Sequence, residues 1–225
     1  YGGDAAGQSV ANSLGAKAAS FAVAARNAED GISFLQSAES LLLELAALTT
    51  RLRELGIQYA NNALLTTTDE AALNAEAEAI GDAIQNIATN TNFNGTQMIG
   101  NATAISIGIN DQGDTATVGT AQSLAVASTG AITGANGIDA SADTALGEIA
   151  KSLGNVAAGM TALKGYQAAA SATSANLAAA AARIQDTDFA LETAALTKAA
   201  ILNQSAMAMV AQANQAQQAI LTVIQ

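Results

Sequence analysis

The sequence predicts a mainly α fold: an elongated, coiled-coil-like helical rod, made of an antiparallel helical hairpin plus a long C-terminal helix, with a small β-hairpin cap. Three observations predict it. Every seventh residue from Ile149 is apolar, giving Ile149, Val156, Leu163, Ala170, Leu177, Ile184 and Leu191, with Leu146, Leu153, Met160 and Ala181 as companions; a 3-4 spacing lays one narrow apolar seam along a helix. Alanine fills ten of the fifteen positions from Ala168 to Ala182 and proline is absent, so helix is favoured and nothing forces it to break. Aromatic residues make up only 3% of the chain, with no Trp, which leaves too few large side chains for a wide core. At about 1.5 Å per residue the helix from Leu146 to Leu191 would be roughly 65 to 70 Å long, a rod and not a ball.

Taken in order, residues 1 to 30 are rich in Gly and Ala, and a weakly amphipathic helix is expected from about Ala5 to Ala28, with a break or kink at Gly31. A second helix follows on the heptad Phe34, Ala38, Leu41, Leu45, Leu48, Leu52, Leu55 and Tyr59. Leu64 to Thr68 reads as a loop, and Thr67 with Glu70 has capping-box spacing for the next helix. Leu73, Ala77, Ile80, Ile84 and Ile87 continue the seam, so this helix should return antiparallel on the one before it, with Asn90 to Gly95 as the closing turn. The period then changes. Ile105, Ile107 and Ile109 alternate with small or polar residues, Asp111 to Asp114 is a turn signal, and Thr115 and Thr117 alternate with Ala116 and Val118, which is a β-hairpin pattern. Gly119 to Ala140 is expected to cap the helices. The domains expected are therefore 1 to 100 for the N-terminal half of the rod, 101 to 140 for the hairpin and loop cap, 141 to 189 for the long helix, and 190 to 225 for a terminal helix with no obvious partner.

The composition removes several functions. A net charge of −11, with eight scattered Lys and Arg, does not suit a nucleic-acid partner, because phosphate neutralisation needs clustered cations. Cys and His are absent, which excludes disulfides, thiolate or imidazole metal ligands and every His-dependent triad, and no cofactor is expected. No run of about 18 apolar residues suggests a membrane span. The charge falls from −7 over residues 1 to 100, through −3 over 101 to 140, to −1 over 141 to 225, so the last third should lie innermost. The chain opens at Tyr1 without Met or a signal pattern, as expected of a trimmed or processed product.

Seven groups of residues carry a resemblance. Asp4 to Gln8, Arg26 to Ser33, Arg51 to Leu55 and Thr91 to Gly95 stand in the order in which bacterial flagellins carry similar motifs, and Ala182 to Phe189, Ile201 to Gln204 and Ala211 to Gln215 resemble the C-terminal signature of that family. The resemblance covers nearly the whole chain outside residues 101 to 140. It implies a structural subunit of the bacterial flagellar filament, secreted and extracellular, that self-assembles by helix packing for motility, with the terminal helix in the innermost layer beside an N-terminal helix that this sequence lacks. The short middle implies a thin filament without large outer domains. It further implies a flagellar export chaperone, the export apparatus and hook-associated proteins as partners.

Two surfaces are candidates. Ile201, Leu202, Met209, Val210, Ile220, Leu221 and Ile224 would form an assembly and chaperone-binding helix, since an amphipathic helix without an internal partner binds another chain or stays disordered. The interleaved Asn and Gln from Asn203 to Gln218 either keep it soluble or form amide ladders between subunits. Arg51, Arg53 and Glu54 fall on a face away from the seam, either solvated ion pairs or a subunit contact; Arg51, Arg53, Leu55 and Glu76 are assigned to a subunit contact or to a surface resembling the one on flagellins that a host Toll-like receptor grips. Catalysis is not expected: the pairs Glu76 with Glu78 and Asp186 with Asp188 are two residues apart and diverge on a helix, and Asp111 with Asp114 suits a turn better than a calcium loop. The alternative from another class is a flagellin-like cell-surface protein that binds an extracellular ligand such as a polysaccharide, against which the scarcity of aromatic side chains argues.

Overall fold

The computed structural model describes residues 5–99, 105–118 and 138–224, apart from the side chains of Asn62, Thr187, Asp188 and residues 220–224. Asp4 in the first motif, residues 119 to 137 of the cap expected from Gly119 to Ala140, and the side chains of Ile220, Leu221 and Ile224 therefore lie outside the described residues. Three helices dominate: α1 (Ala5–Tyr59), α2 (Thr67–Asn90) and α3 (Ile138–Ile224). Between α2 and α3 stand two antiparallel strand pairs, β1 (Asn92–Phe93) with β2 (Thr96–Gln97), and β3 (Ile105–Gly108) with β4 (Thr115–Val118). The chain divides into a larger unit, Ser20–Thr173, and a smaller one, Tyr1–Ala19 with Ser174–Gln225.

In the larger unit α1 has neighbours on two sides. Toward α2, Arg51 meets Glu76, and seventeen residues away in opposite directions Phe34 meets Phe93 edge-on at 5.6 Å; the two helices of the hairpin thus run antiparallel. Toward α3, Arg53 meets Asp143, and at two glycines an added Cβ would strike the opposite helix: Gly56 against Asp139 N at 2.8 Å and Gly159 against Leu35 Cδ1 at 3.1 Å. Two adjacent stripes of α1 are consequently buried. Phe34, Leu45, Leu52 and Leu55 belong to the expected seam, whereas Leu35, Leu42, Thr49 and Gly56 were not expected in it, and Leu41, Leu48 and Tyr59 are only partly buried. On α3, Ile149, Val156, Leu163 and Ala170 are buried as the repeat requires, but the buried companions are Ala145, Ser152 and Gly159, one residue before Leu146, Leu153 and Met160. Small residues let the backbones approach, which an Ala-rich interface needs in order to gain contact.

Gly31 does not break the chain: α1 is continuous through it. A Cβ at Gly31 would stand 2.9 Å from Leu163 Cδ1 and 3.1 Å from Ile107 Cγ1, so the glycine serves close approach by α3 and the β3–β4 hairpin, and its helix-weakening tendency is outweighed by packing. The start of α2 is displaced by one residue from expectation. Thr66 is the N-cap, with its Oγ1 accepting from Asp69 N and its own N–H donating to Asp69 Oδ2; the box is Thr66 with Asp69, not Thr67 with Glu70.

Asn94 and Gly95, at φ 49° and 81°, form the two-residue turn of a small hairpin in which Phe93 pairs with Thr96. The segment expected as a plain turn is thus also a strand pair, which presents Phe93 to Phe34. β3 and β4 pair in the register Ile105 with Val118 and Ile107 with Ala116, as their alternation predicts. Asn110 braces the turn between them, its Oδ1 accepting from Gln112 N and Asp114 N.

By length and composition α1 alone among the described helices is apolar enough to cross a membrane, contrary to the expectation from runs of apolar residues. Its side chains Leu35, Leu42, Leu45, Leu52 and Leu55 are 3% exposed or less, so part of the apolar surface that raises its hydropathy is core, while Leu43 is 55% exposed.

Candidate assembly surface

Beyond Ile184 the apolar repeat of α3 loses its cover. Leu177 and Ile184 are half-buried, but Leu191, in the same series, is 67% exposed. Downstream, Phe189, Leu196, Ile201, Leu202, Met207, Met209 and Val210 are all more than half exposed, and Glu192 and Lys198 are the sole charged residues between positions 190 and 219. An exposed surface this large, apolar and nearly uncharged marks an interaction site.

At about 100° per residue these side chains divide into two groups. Phe189, Leu196, Met207 and Val210 fall within roughly 60° of one another, while Leu191, Leu202 and Met209 fall within roughly 20° on the nearly opposite side. Ile201 stands between them beside a shallow slot formed with Ala190, Ala194 and Thr197. A helix that packs on one neighbour needs one stripe. This one offers two, so it is suited to lie between neighbours. Of the expected assembly residues, Ile201, Leu202, Met209 and Val210 are exposed on this helix. Phe189, Leu191, Leu196 and Met207 belong with them; their signal in the sequence is the same near-absence of charge.

The second candidate surface is less open than its sequence suggests. Arg51 donates from Nε and Nη2 to Glu76 Oε1 at 2.9 and 2.6 Å and from Nη1 to Glu54 Oε2 at 3.1 Å. Glu76 first, then Glu54, holds the guanidinium pKa above its ordinary value. Arg53 turns the other way, its Nε donating to Asp143 Oδ1 on α3 at 2.5 Å. The two arginines thus tie α1 to both neighbours at the surface. Leu55 is 0% exposed and belongs to the core, which corrects its assignment to a contact face: the stripe it occupies is the one α1 turns inward. Asp143, missed in the sequence, is Arg53's partner from ninety residues away. Among the described residues no three His, Cys, Asp or Glu side chains converge to hold a metal ion.

Comparison with known proteins agrees on one family. Residues 2–104 match the bacterial flagellin N-terminal helical region and residues 137–224 the bacterial flagellin C-terminal helical region. The chain is 32% identical to a flagellin of Halalkalibacterium halodurans, over 99% of this chain and 85% of that protein. It is also 32% identical to the flagellar filament 33 kDa core protein of Treponema phagedenis, over 99% of this chain and 86% of that one. Among solved structures, Bacillus cereus flagellin aligns with a TM-score of 0.46 and 26% identity, covering 68% of this chain and 88% of that chain.

Proposed function

The chain belongs to the bacterial flagellins, and from that premise we propose how it works as a structural subunit of the extracellular flagellar filament. The filament is held by packing, with no chemical step. The observation that carries this reading is the two-faced apolar tail of α3 from Phe189 to Val210, exposed and almost uncharged. Heterologous contacts that do not close into a ring generate an open helical polymer, and a helix apolar on two sides supplies contacts to more than one neighbour. Self-association is therefore the primary partnership. The same exposed helix needs masking before assembly, which suits an export chaperone that covers it, followed by delivery through the export apparatus to a filament bounded by hook-associated proteins. A host receptor contact on unit Ser20–Thr173 would use Arg51, Arg53 and Glu76, with Leu55 acting only indirectly by holding α1 in place. The polysaccharide-binding alternative gains no supporting observation from the described residues.

The test is seeded growth. Preformed filament fragments are mixed with the full chain or with a chain ending at Phe189, and extension is followed by light scattering and negative-stain electron microscopy. The full chain should extend the seeds and the shortened chain should not, while both keep their helical circular dichroism. Equal extension by the shortened chain would remove α3's tail from assembly.

A further inference from the structure

We infer that the two apolar faces of the α3 tail are each other's partners: the face that bears Glu192 on one copy of the chain packs against the face that bears Lys198 on the next. This rests on the tail's role in assembly proposed above and adds which face meets which. Glu192 and Lys198 are the sole charges between positions 190 and 219, and they are of opposite sign. Both side chains are exposed, and among the described residues neither is in an ion pair. Six residues apart, they stand about 9 Å apart along the helix and about 120° apart around it, so they do not face each other within one copy. Their angular positions divide them between the faces. Glu192 shares that of Val210, on the face of Phe189, Leu196 and Met207, whereas Lys198 falls within roughly 20° of Leu191 and Met209 on the other. Each face thus carries one charge, and the two charges match.

A face packed on its own kind would bring Glu192 to Glu192 or Lys198 to Lys198, and a like-charge pair in a desolvated contact excludes that arrangement in favour of others. It would also close after two copies. The face of Glu192 on the face of Lys198 joins a carboxylate to an ammonium, and it leaves each copy a second face with which to repeat the contact. With the copies running parallel, a stagger of about 9 Å brings the two charges level. The contact is then heterologous and open-ended, as a filament needs. On a tail this apolar, the uncharged area supplies the burial and the charges choose the orientation.

Charge reversal in the full chain, read by seeded growth, is the test. Glu192→Lys leaves a lysine on both faces and Lys198→Glu a glutamate on both, so each variant alone should extend filament seeds more slowly than the wild type by more than about tenfold, with the helical circular dichroism of the monomer unchanged. An equimolar mixture should restore growth, since each variant then offers the charge the other lacks, and pelleted filaments should hold the two in equal amounts. Normal growth of either single variant, while a chain ending at Phe189 fails to grow, would overturn the pairing and leave the tail's role in assembly standing. Failure of the mixture as well as of the single variants would also overturn it, for the substitutions would then be harmful one by one and not complementary. Equal growth of the chain ending at Phe189 would remove the assembly role and the pairing with it.

Discussion

At the scale of single residues, glycines and one serine decide how closely the helices meet. Gly56 and Gly154 are both interior to helices, and both would gain about 1 kcal/mol of helix propensity as Ala. They differ in what a methyl group would touch. At Gly56 it would strike the Asp139 backbone nitrogen at 2.8 Å, whereas at Gly154 nothing lies within 4 Å. Backbone cannot yield as a side-chain end can, and overpacking costs about 1 to 3 kcal/mol. Gly56→Ala should therefore lower the thermal midpoint followed by circular dichroism and Gly154→Ala should raise it. Ser152 is 0% exposed, and its Oγ has no hydrogen-bond partner. Removing a buried unpaired hydroxyl relieves its desolvation cost, so Ser152→Ala should stabilise by about 1 kcal/mol, read as a higher denaturant midpoint at unchanged m. These residues were also the least legible in the sequence. An apolar count sees Leu153 and Met160 and passes over Ser152 and Gly159, although the small residues take the inward positions and the large ones flank them.

At the scale of elements, the start of α2 is the part most dependent on polar contacts. Thr66 and Asp69 satisfy each other's backbone N–H, and Thr66→Ala should cost about 1 kcal/mol. The contact also sets a pH dependence. The Thr66 hydroxyl first, and then its backbone N–H, lowers the Asp69 pKa from 3.8. A depressed carboxylate pKa gives stability that is present above the unfolded value and lost as pH falls through the folded one. The difference in thermal midpoint between the wild-type chain and Asp69→Asn should hold near neutrality and shrink as pH drops below 3.8. An undiminished difference at low pH would mean that the carboxylate charge plays no part. The helices themselves were readable because heptads of Leu and Ile extend over many turns, and β3 and β4 because Ile105, Ile107, Ala116 and Val118 alternate. What the pattern could not convey is that α1 packs on two neighbours, which widens one seam into two stripes, or that Gly31 faces Leu163. Both depend on residues of α3 that lie 83 to 132 positions away in the chain. The small hairpin of Asn94 and Gly95 was within reach, since an Asn-Gly pair beside Phe93 is a strong turn signal.

At the scale of the whole chain, charge and exposure separate two roles. Unit Ser20–Thr173 contains 15 of the 19 acidic and 5 of the 8 basic side chains, a net −10, whereas the residues of the other unit sum to −1. Like charge keeps copies of the acidic unit apart unless some surface attracts them, and in the proposed function the neutral apolar tail of α3 is that surface. Its two faces make the prediction specific. If the tail bridged to one neighbour only, a charge on the unused face would be nearly silent, because an exposed glutamate on a helix costs little. If both faces pack, an unpaired carboxylate buried on either one opposes assembly, for it must be desolvated without a partner. Leu196→Glu and Leu202→Glu place that carboxylate on opposite faces, on side chains 70% and 61% exposed in the isolated subunit. Each alone should abolish extension of filament seeds while leaving circular dichroism and thermal unfolding of the monomer unchanged, and mixing the two variants should not restore growth. Normal growth of either single variant would reduce the tail to a one-sided contact. Recovery of both at acid pH, where the new carboxylate is neutral, would identify the buried charge as the cause.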